Sequence, residues 1–293
     1  MLVLFTDTDT DLTPEKAKEY GYHLISMPYA IDGENLYPYE DFDEFDAHAF
    51  YDKLRDGALP TTSAISTQRY IDYFEPFLKN GDDILYVHFS RNMSATFGNM
   101  DEALAELKEK YPDRTVYTVD TKGITLMSLI IVEEIGDMYK AGKTADEILE
   151  WAKTEVDHYA CYFFADDLKF FRRSGRVSGL AGTMGTLMGI RPIIYMDEEG
   201  KMVSVGKEKG RVKAMERLIS YVEELGDNVK DYRILVGSAD AADIAEEIGE
   251  MLKERFGDGL KIEYIVVNPT AGSHCGPDTV GIGFHSKGRS LPK

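Results

Sequence analysis

Leu2-Val3-Leu4-Phe5-Thr6-Asp7-Thr8-Asp9-Thr10-Asp11-Leu12-Thr13-Pro14 is the stretch on which the fold turns. A short apolar run closed by turn-forming residues has the length of a buried strand, here residues 2–6. The acidic loop Asp7–Asp11 follows. Thr13 is placed to cap a helix with Pro14 at its first position, and Gly21 is placed to end it. His23-Leu24-Ile25-Ser26-Met27 then supplies a second strand.

The same alternation runs through the first half of the chain. Helices are predicted at 46–54, 66–78, 94–110 and 123–139, and strands at 84–89 and 116–119. Strands alternating with helices imply a parallel sheet covered on both faces. Thr144-Ala145-Asp146-Glu147 has capping-box spacing and opens a helix that carries Trp151. From the strand at 159–164 onward the pattern changes. A hairpin is expected from 192–196 and 202–206, turning at Asp197-Glu198-Glu199-Gly200. Amphipathic helices at 211–225 and 240–256 flank a strand at 234–237, and strands at 262–267 and 280–284 complete a mixed sheet with its helices on one face. The fold class is therefore α/β. A three-layer α/β/α domain with a parallel sheet (residues 1–158, Rossmann-like) precedes a two-layer α/β domain with a mixed sheet (159–293). The change falls within 155–165, and a ligand is expected between the domains.

At 293 residues the chain has room for two such domains. Its formal charge of −19 repels phosphate backbones and anionic membrane surfaces, which argues against nucleic-acid binding. The longest apolar stretch, 124–132, is too short to span a bilayer, so no stable membrane insertion is expected. The N-terminus runs straight into a strand without a basic region or cleavage signal, and the expectation is a cytoplasmic protein. Cys161 and Cys275 stand far apart and fit neither a disulfide framework nor a zinc site. No metal and no cofactor is expected.

Hydroxyl and imidazole groups recur where strands or loops give way to helices, the usual ligand position in α/β folds. They are Thr62 and Ser63 before a helix, Ser90 and Ser94 before another, and His274 in the glycine-flanked loop Gly272-Ser273-His274-Cys275-Gly276-Pro277. Each has an ordinary reading as a cap or turn residue. Together they suit holding an anion, because helix N-termini also present free N–H groups. Cys275 lacks a base–orienter pair and reads as structural. Lys169, Arg172, Arg173 and Arg176 form a basic island in an acidic chain, either a solvated helix end or a docking patch. Asp7-Thr8-Asp9-Thr10 after a strand resembles the first motif of haloacid-dehalogenase-type phosphatases, with Asp7 as phosphoryl acceptor and Asp9 as acid. The last two fifths of the chain have no place in that plan.

Taken in order, the segments resemble the DegV family nearly end to end. Asp7-Thr8-Asp9-Thr10-Asp11-Leu12 is similar to the family's Asp-Ser-x-x-Asp-Leu, and Thr62-Ser63-Ala64-Ile65-Ser66 to its Thr-Ser-x-x-Ser. Residues 90–97 resemble Ser-x-x-x-Ser-Gly-Thr-Tyr, with Asp120-Thr121 as an Asp-Ser/Thr pair after a strand. Residues 168–177 resemble Leu-x-Tyr-Leu-x-x-Gly-Gly-Arg-Ile, and Arg191-Pro192 stands for Lys-Pro. His274-Cys275-Gly276-Pro277-Asp278-Thr279-Val280-Gly281 is similar to the closing His-x-Gly-Pro-Gly-x-x-Gly. Ala95, Phe97, Ser174 and Asp278 depart from the pattern, and Asp278 brings an extra carboxylate near the expected anion site.

The resemblance implies a lipid carrier and not an enzyme: a long-chain fatty acid buried between the domains and presented to a separate dihydroxyacetone-kinase-like fatty acid kinase subunit. That partner would handle ATP and Mg²⁺ and form the acyl phosphate. Burying the chain is favourable by ~0.8 kcal/mol per CH₂, whereas an unpaired buried carboxylate is costly. Thr62 and Ser94 are the expected direct donors to the carboxylate, with His274 as a third donor or as the orienter of a hydroxyl. Ser63 and Arg211 are expected behind them, Arg211 for charge compensation. The basic island is the expected docking surface, and the stretch 184–190 is a candidate for the apolar wall.

Overall fold

In the computed structural model, which describes residues 1–179 and 189–290, the opening stretch folds as its chemistry dictates. Strand β1 (Leu2–Asp7) enters a single tight turn at Thr8–Thr10, and helix α1 (Pro14–Tyr20) starts with Thr13 Oγ1 accepting the Lys16 N–H. Gly21 closes α1 at φ 80°, a left-handed conformation that glycine adopts without penalty. Strand β2 (Tyr22–Ile25) returns parallel to β1.

Strands β3 (Tyr29–Ile31) and β4 (Glu34–Leu36), helix α2 (Ala47–Arg55), strand β5 (Thr61–Thr62) and helix α3 (Thr67–Lys79) come next. Strand β6 (Asp83–His88), helix α4 (Thr96–Lys110), strand β7 (Val116–Asp120), helix α5 (Leu126–Lys140) and helix α6 (Ala145–Glu155) follow. The order β2-β1-β6-β7 makes an all-parallel sheet. Ile84, Leu85, Tyr86 and Val87 of β6 are all fully buried, as expected where helices cover both faces of a parallel strand. Helices α3 and α4 pack together on one side. On the other, α5 is tied to the sheet by Tyr22 Oη donating to the Val132 carbonyl and Tyr139 Oη to the Leu2 carbonyl.

The second half contains strand β8 (Tyr159–Phe164), helix α7 (Lys169–Ser174), and strands β9 (Val177–Ser178), β10 (Ile190–Met196) and β11 (Met202–Lys209). Helix α8 (Arg211–Leu225), strand β12 (Arg233–Ser238), helix α9 (Ala242–Phe256), strand β13 (Lys261–Val266), helix α10 (Pro269–Cys275) and strand β14 (Val280–His285) complete it. The seven-stranded sheet runs β13-β12-β14-β8-β10-β11-β9 and is parallel only at β12/β13 and β11/β9. Alternation along β8 divides its side chains between two cores. Ala160, Tyr162 and Phe164 face α8 and α9, while Tyr159, Cys161 and Phe163 join the core shared with the first half.

Helix α5 thus serves both sheets. Gly237 of β12 and Gly281 of β14 lie opposite each other, and Leu126 of α5 packs over them. A Cβ on Gly237 would come within 2.2 Å of Leu126 Cδ2, so this approach requires glycine. A partly buried ion network centred on Glu133 adds a polar tie between the halves. Glu133 of α5 bonds Lys16 of α1 and meets Arg233 of β12 at 3.4 Å, while Lys16 also meets Glu263 of β13 at 2.6 Å. Of the expected wall stretch, 184–188 lies outside the described residues. Among the described residues, no helix is long and apolar enough to cross a membrane.

Candidate ligand-binding cavity between the sheets

Strand β5 is fixed by pairing with β3, Thr62 lying opposite Tyr29. The backbone just before it is gripped by Arg173 of α7, whose Nη1 donates to the Pro60 carbonyl at 2.7 Å and Nη2 to the Leu59 carbonyl at 2.8 Å. Thr62 is thereby held against α10, and its Oγ1 lies 2.8 Å from His274 Nε2. The segment around His274, expected as a loop, is a short helix. Asn268 Oδ1 accepts the Ala271 N–H at 2.9 Å, Pro269 occupies the first turn, and Gly276 ends the helix at φ 75°. Gly272 is there for packing, since a Cβ would lie 2.5 Å from Tyr51 Oη.

Ser94 sits in extended backbone between β6 and α4. Its Oγ accepts the Thr96 N–H at 3.2 Å, which leaves the hydroxyl hydrogen for a ligand. Ala95, not Ser94, is the residue at the helix boundary. Ser90 is fully buried; it accepts the Asn92 N–H at 3.2 Å and donates to the Gly200 carbonyl at 2.7 Å. The tip of the β10–β11 hairpin therefore braces the loop that presents Ser94.

Thr62, Ser63, Ser94 and His274 all line one cavity of about 160 Å³ between the sheets. Met27, Phe89, Met93, Leu126, Phe163 and Phe171 make much of the remaining wall apolar. Arg176, exposed just beyond α7, also lines it, so a cation stands at the cavity edge.

Burial, followed by the charges of Arg176 and Arg173, lowers the His274 pKa to about 4. The imidazole is therefore neutral at neutral pH. With its proton on Nε2 it donates to Thr62 Oγ1, which frees the Thr62 hydroxyl hydrogen to turn into the cavity. Cys161 and Cys275 are both in the wall, and burial pushes both thiols up to about 12. Neutral buried thiols are poor nucleophiles.

Arg211 is not brought to the cavity. Its Nη2 donates to Asp166 Oδ2 at 2.8 Å, and Asp166 also takes Arg191 Nε at 2.6 Å, so the expected charge compensation is directed at a protein carboxylate. Asp278 likewise does not line the cavity, because Arg55 Nη2 holds its Oδ1 at 2.9 Å. The basic island separates into different environments. Lys169 meets Asp167 at 3.3 Å, Arg173 is the clamp on Leu59 and Pro60, Arg176 reaches the cavity, and Arg172 is exposed. Sequence reading placed Arg176 on a docking patch. The αL turn at Gly175 (φ 66°), which ends α7 and redirects the chain, was the available signal for its position in the wall.

Asp7 is fully buried, accepting the Asp9 N–H at 3.1 Å, Tyr86 Oη–H at 3.0 Å and the Phe89 N–H at 3.2 Å. It orders the turn after β1, and burial pushes its pKa up to about 7. An acid so enclosed does not suit attack on a phosphoryl group.

The family model described as an uncharacterised protein of the DegV family matches residues 1–287. The chain belongs to the DegV family. A DegV domain-containing protein of Clostridium perfringens is 33% identical over 283 residues, covering 96% of each chain. The DegV fold recurs in a solved structure described as a fatty acid binding DegV family protein from Streptococcus agalactiae. That structure has 25% identity and a TM-score of 0.84, with 98% of this chain and 99% of that one covered. It recurs also in a stearic acid-binding protein from Eubacterium ventriosum, with 20% identity, a TM-score of 0.85, and 98% and 99% covered. The phosphatase reading of Asp7 and Asp9 gains no support, since the DegV match includes that opening turn.

Proposed function

We propose that this DegV chain binds a long-chain fatty acid in the cavity between its sheets, the alkyl chain against the apolar wall and the carboxylate at the hydroxyl-lined end. The observation that carries this reading is the Thr62–His274 pair at 2.8 Å, opening onto a cavity that Ser63 and Ser94 also line. Thr62 and Ser94 each have a hydroxyl hydrogen to give, and neutral His274 holds Thr62 in the donating orientation. Ser63 stands beside them, and Arg176 compensates the charge in place of Arg211. Hydrogen bonds to a charged acceptor are worth about 1.5–3 kcal/mol each, enough to offset loss of the carboxylate's water. The fatty-acid-binding descriptions of similar DegV structures support the same class of ligand.

The chain acts as a carrier: its buried thiols and enclosed Asp7 are not disposed for covalent chemistry. A separate kinase subunit phosphorylates the carboxylate and docks over Lys169 and Arg172, next to Arg176 at the cavity edge. ATP and Mg²⁺ belong to that partner. The test compares stearic acid with its methyl ester on delipidated protein by calorimetry. Tight binding of the acid and loss of at least about tenfold for the ester is expected. Equal binding of both would remove the carboxylate site from the reading.

A further inference from the structure

Asp9 lies in the wall of the same cavity and is only 6% exposed, yet its carboxyl makes no hydrogen bond among the described residues, and Oδ1 is wholly buried without a partner. Its neighbours each have partners, although Asp11 Oδ2 is also buried without one. Asp7 accepts three hydrogen bonds, and Asp11 Oδ1 accepts both the N–H and the side-chain amide of Asn268, at 2.9 and 2.7 Å. The turn that carries Asp9 is fixed on both sides, by Asp7 Oδ1 on its own N–H and by the Thr125 N–H donating to its carbonyl at 2.8 Å. Thr125 also lines the cavity, and its hydroxyl makes no hydrogen bond among the described residues. Buried Asp9 and half-buried Thr125, joined by that backbone bond, therefore offer polar groups without a protein partner among the described residues in an otherwise largely apolar wall. Buried polar groups are nearly always paired in native proteins, and exceptions point to a ligand or water that completes them.

Asp9 and Thr125 come from the turn after β1 and the start of α5, elements other than those that carry Thr62, Ser94 and His274. Asn268, which grips the Asp9 turn through Asp11, and His274 stand at opposite ends of α10, ~9 Å apart at ~1.5 Å per residue. A ligand anchored by Thr62 and His274 whose chain follows the wall toward the Asn268 end of α10 meets Asp9 and Thr125 with its chain. Plain methylenes there would strip water from both groups and return nothing. We propose that Asp9 and Thr125 make this cavity select a long-chain acid bearing a hydroxyl group along its chain over the unsubstituted acid of equal length. The inference rests on the fatty-acid reading above and names its ligand class more narrowly. Burial and the nearby Asp7 and Asp11 raise the Asp9 pKa well above the carboxylate range, which favours the protonated form able both to donate to and to accept from such a hydroxyl.

The experiment is a competition on delipidated full-length protein, read by native mass spectrometry, between stearic acid and a panel of hydroxystearic acids differing in hydroxyl position. At least one isomer is expected to outcompete stearic acid by about tenfold or more, from the pairing of one otherwise unsatisfied buried group. Asp9→Leu should reverse that preference, and Asp9→Asn should keep part of it. Stearic acid binding the wild-type protein as tightly as every hydroxy isomer would overturn this inference alone, whatever the variants do. Failure of all the acids to bind would overturn the fatty-acid reading and this inference with it.

Discussion

Thr62 Oγ1 and His274 Nε2 are 2.8 Å apart, although 212 positions separate them in the chain. One belongs to a two-residue strand of the first half and the other to a short helix between strands β13 and β14 of the second sheet, so the pair exists only when the halves are docked. Thr62→Val keeps the shape and removes the hydroxyl. It should weaken fatty-acid binding by about tenfold to a hundredfold, the loss of one hydrogen bond to a charged group, with little change in melting temperature. Displacement of a fluorescent fatty acid measures it.

Docking of the halves also depends on the contact between Leu126 and Gly237. Gly237→Val places a Cβ into Leu126 and should cost about 1–3 kcal/mol of unfolding free energy by overpacking. Combining it with Leu126→Ala should recover part of that loss, since the two positions share one space. Urea denaturation of the two single variants and the double variant measures the coupling; strict additivity would contradict the proposed contact.

Buried acids set the pH dependence of stability. Burial raises Asp7 and Asp11 from an ordinary 3.8 to about 7, so between these values the folded chain holds protons that the unfolded chain has released. Stability from these two groups therefore falls as pH rises from about 4 to about 7 and levels off above. His274 acts in the opposite sense: with its pKa lowered from 6.5 to about 4, stability is lost as pH falls through that window. Two carboxyls with larger shifts outweigh one imidazole, with a ceiling of about 4 kcal/mol per carboxyl. The protein should be more stable near pH 5 than near pH 8, and Asp11→Asn, which keeps an oxygen for Asn268, should flatten that slope. Urea midpoints at both pH values test the sign.

Much of this architecture is legible in the sequence because its signals are local. The Thr13 cap with Pro14, the Thr144–Glu147 capping box, the helix from Arg211 to Leu225 and the hairpin turn at 197–200 all stand where their residue chemistry places them. Strands β3, β4 and β5 are too short to leave an alternation, so the small sheet that fixes Thr62 was not visible. Helix α10 was hidden by Gly272, which is present for Tyr51 and breaks the helical pattern in the process. The hydroxyls and the histidine were legible as candidates. Their convergence, the diversion of Arg211 to Asp166 and the presence of Asp9 in the wall are tertiary relationships with no local signature.

Arg173 and Arg172 should behave differently despite being adjacent. Arg173→Ala releases the Leu59 and Pro60 carbonyls and should weaken lipid binding severalfold through misplacement of Thr62. Lys169→Glu with Arg172→Glu should leave lipid bound and lower phosphorylation by the proposed kinase partner. Lipid occupancy by mass spectrometry and acyl-phosphate formation separate the two effects, and loss of lipid in the Lys169/Arg172 variant would count against docking there.

The most direct measurement is mass spectrometry of the protein purified from a heterologous bacterial host, first native and then after solvent extraction. One long-chain fatty acid per chain, lost in the Ser94→Ala/His274→Ala double variant while the fold is retained, is the predicted result. A protein that arrives empty and refuses every added fatty acid would contradict the assignment of the cavity.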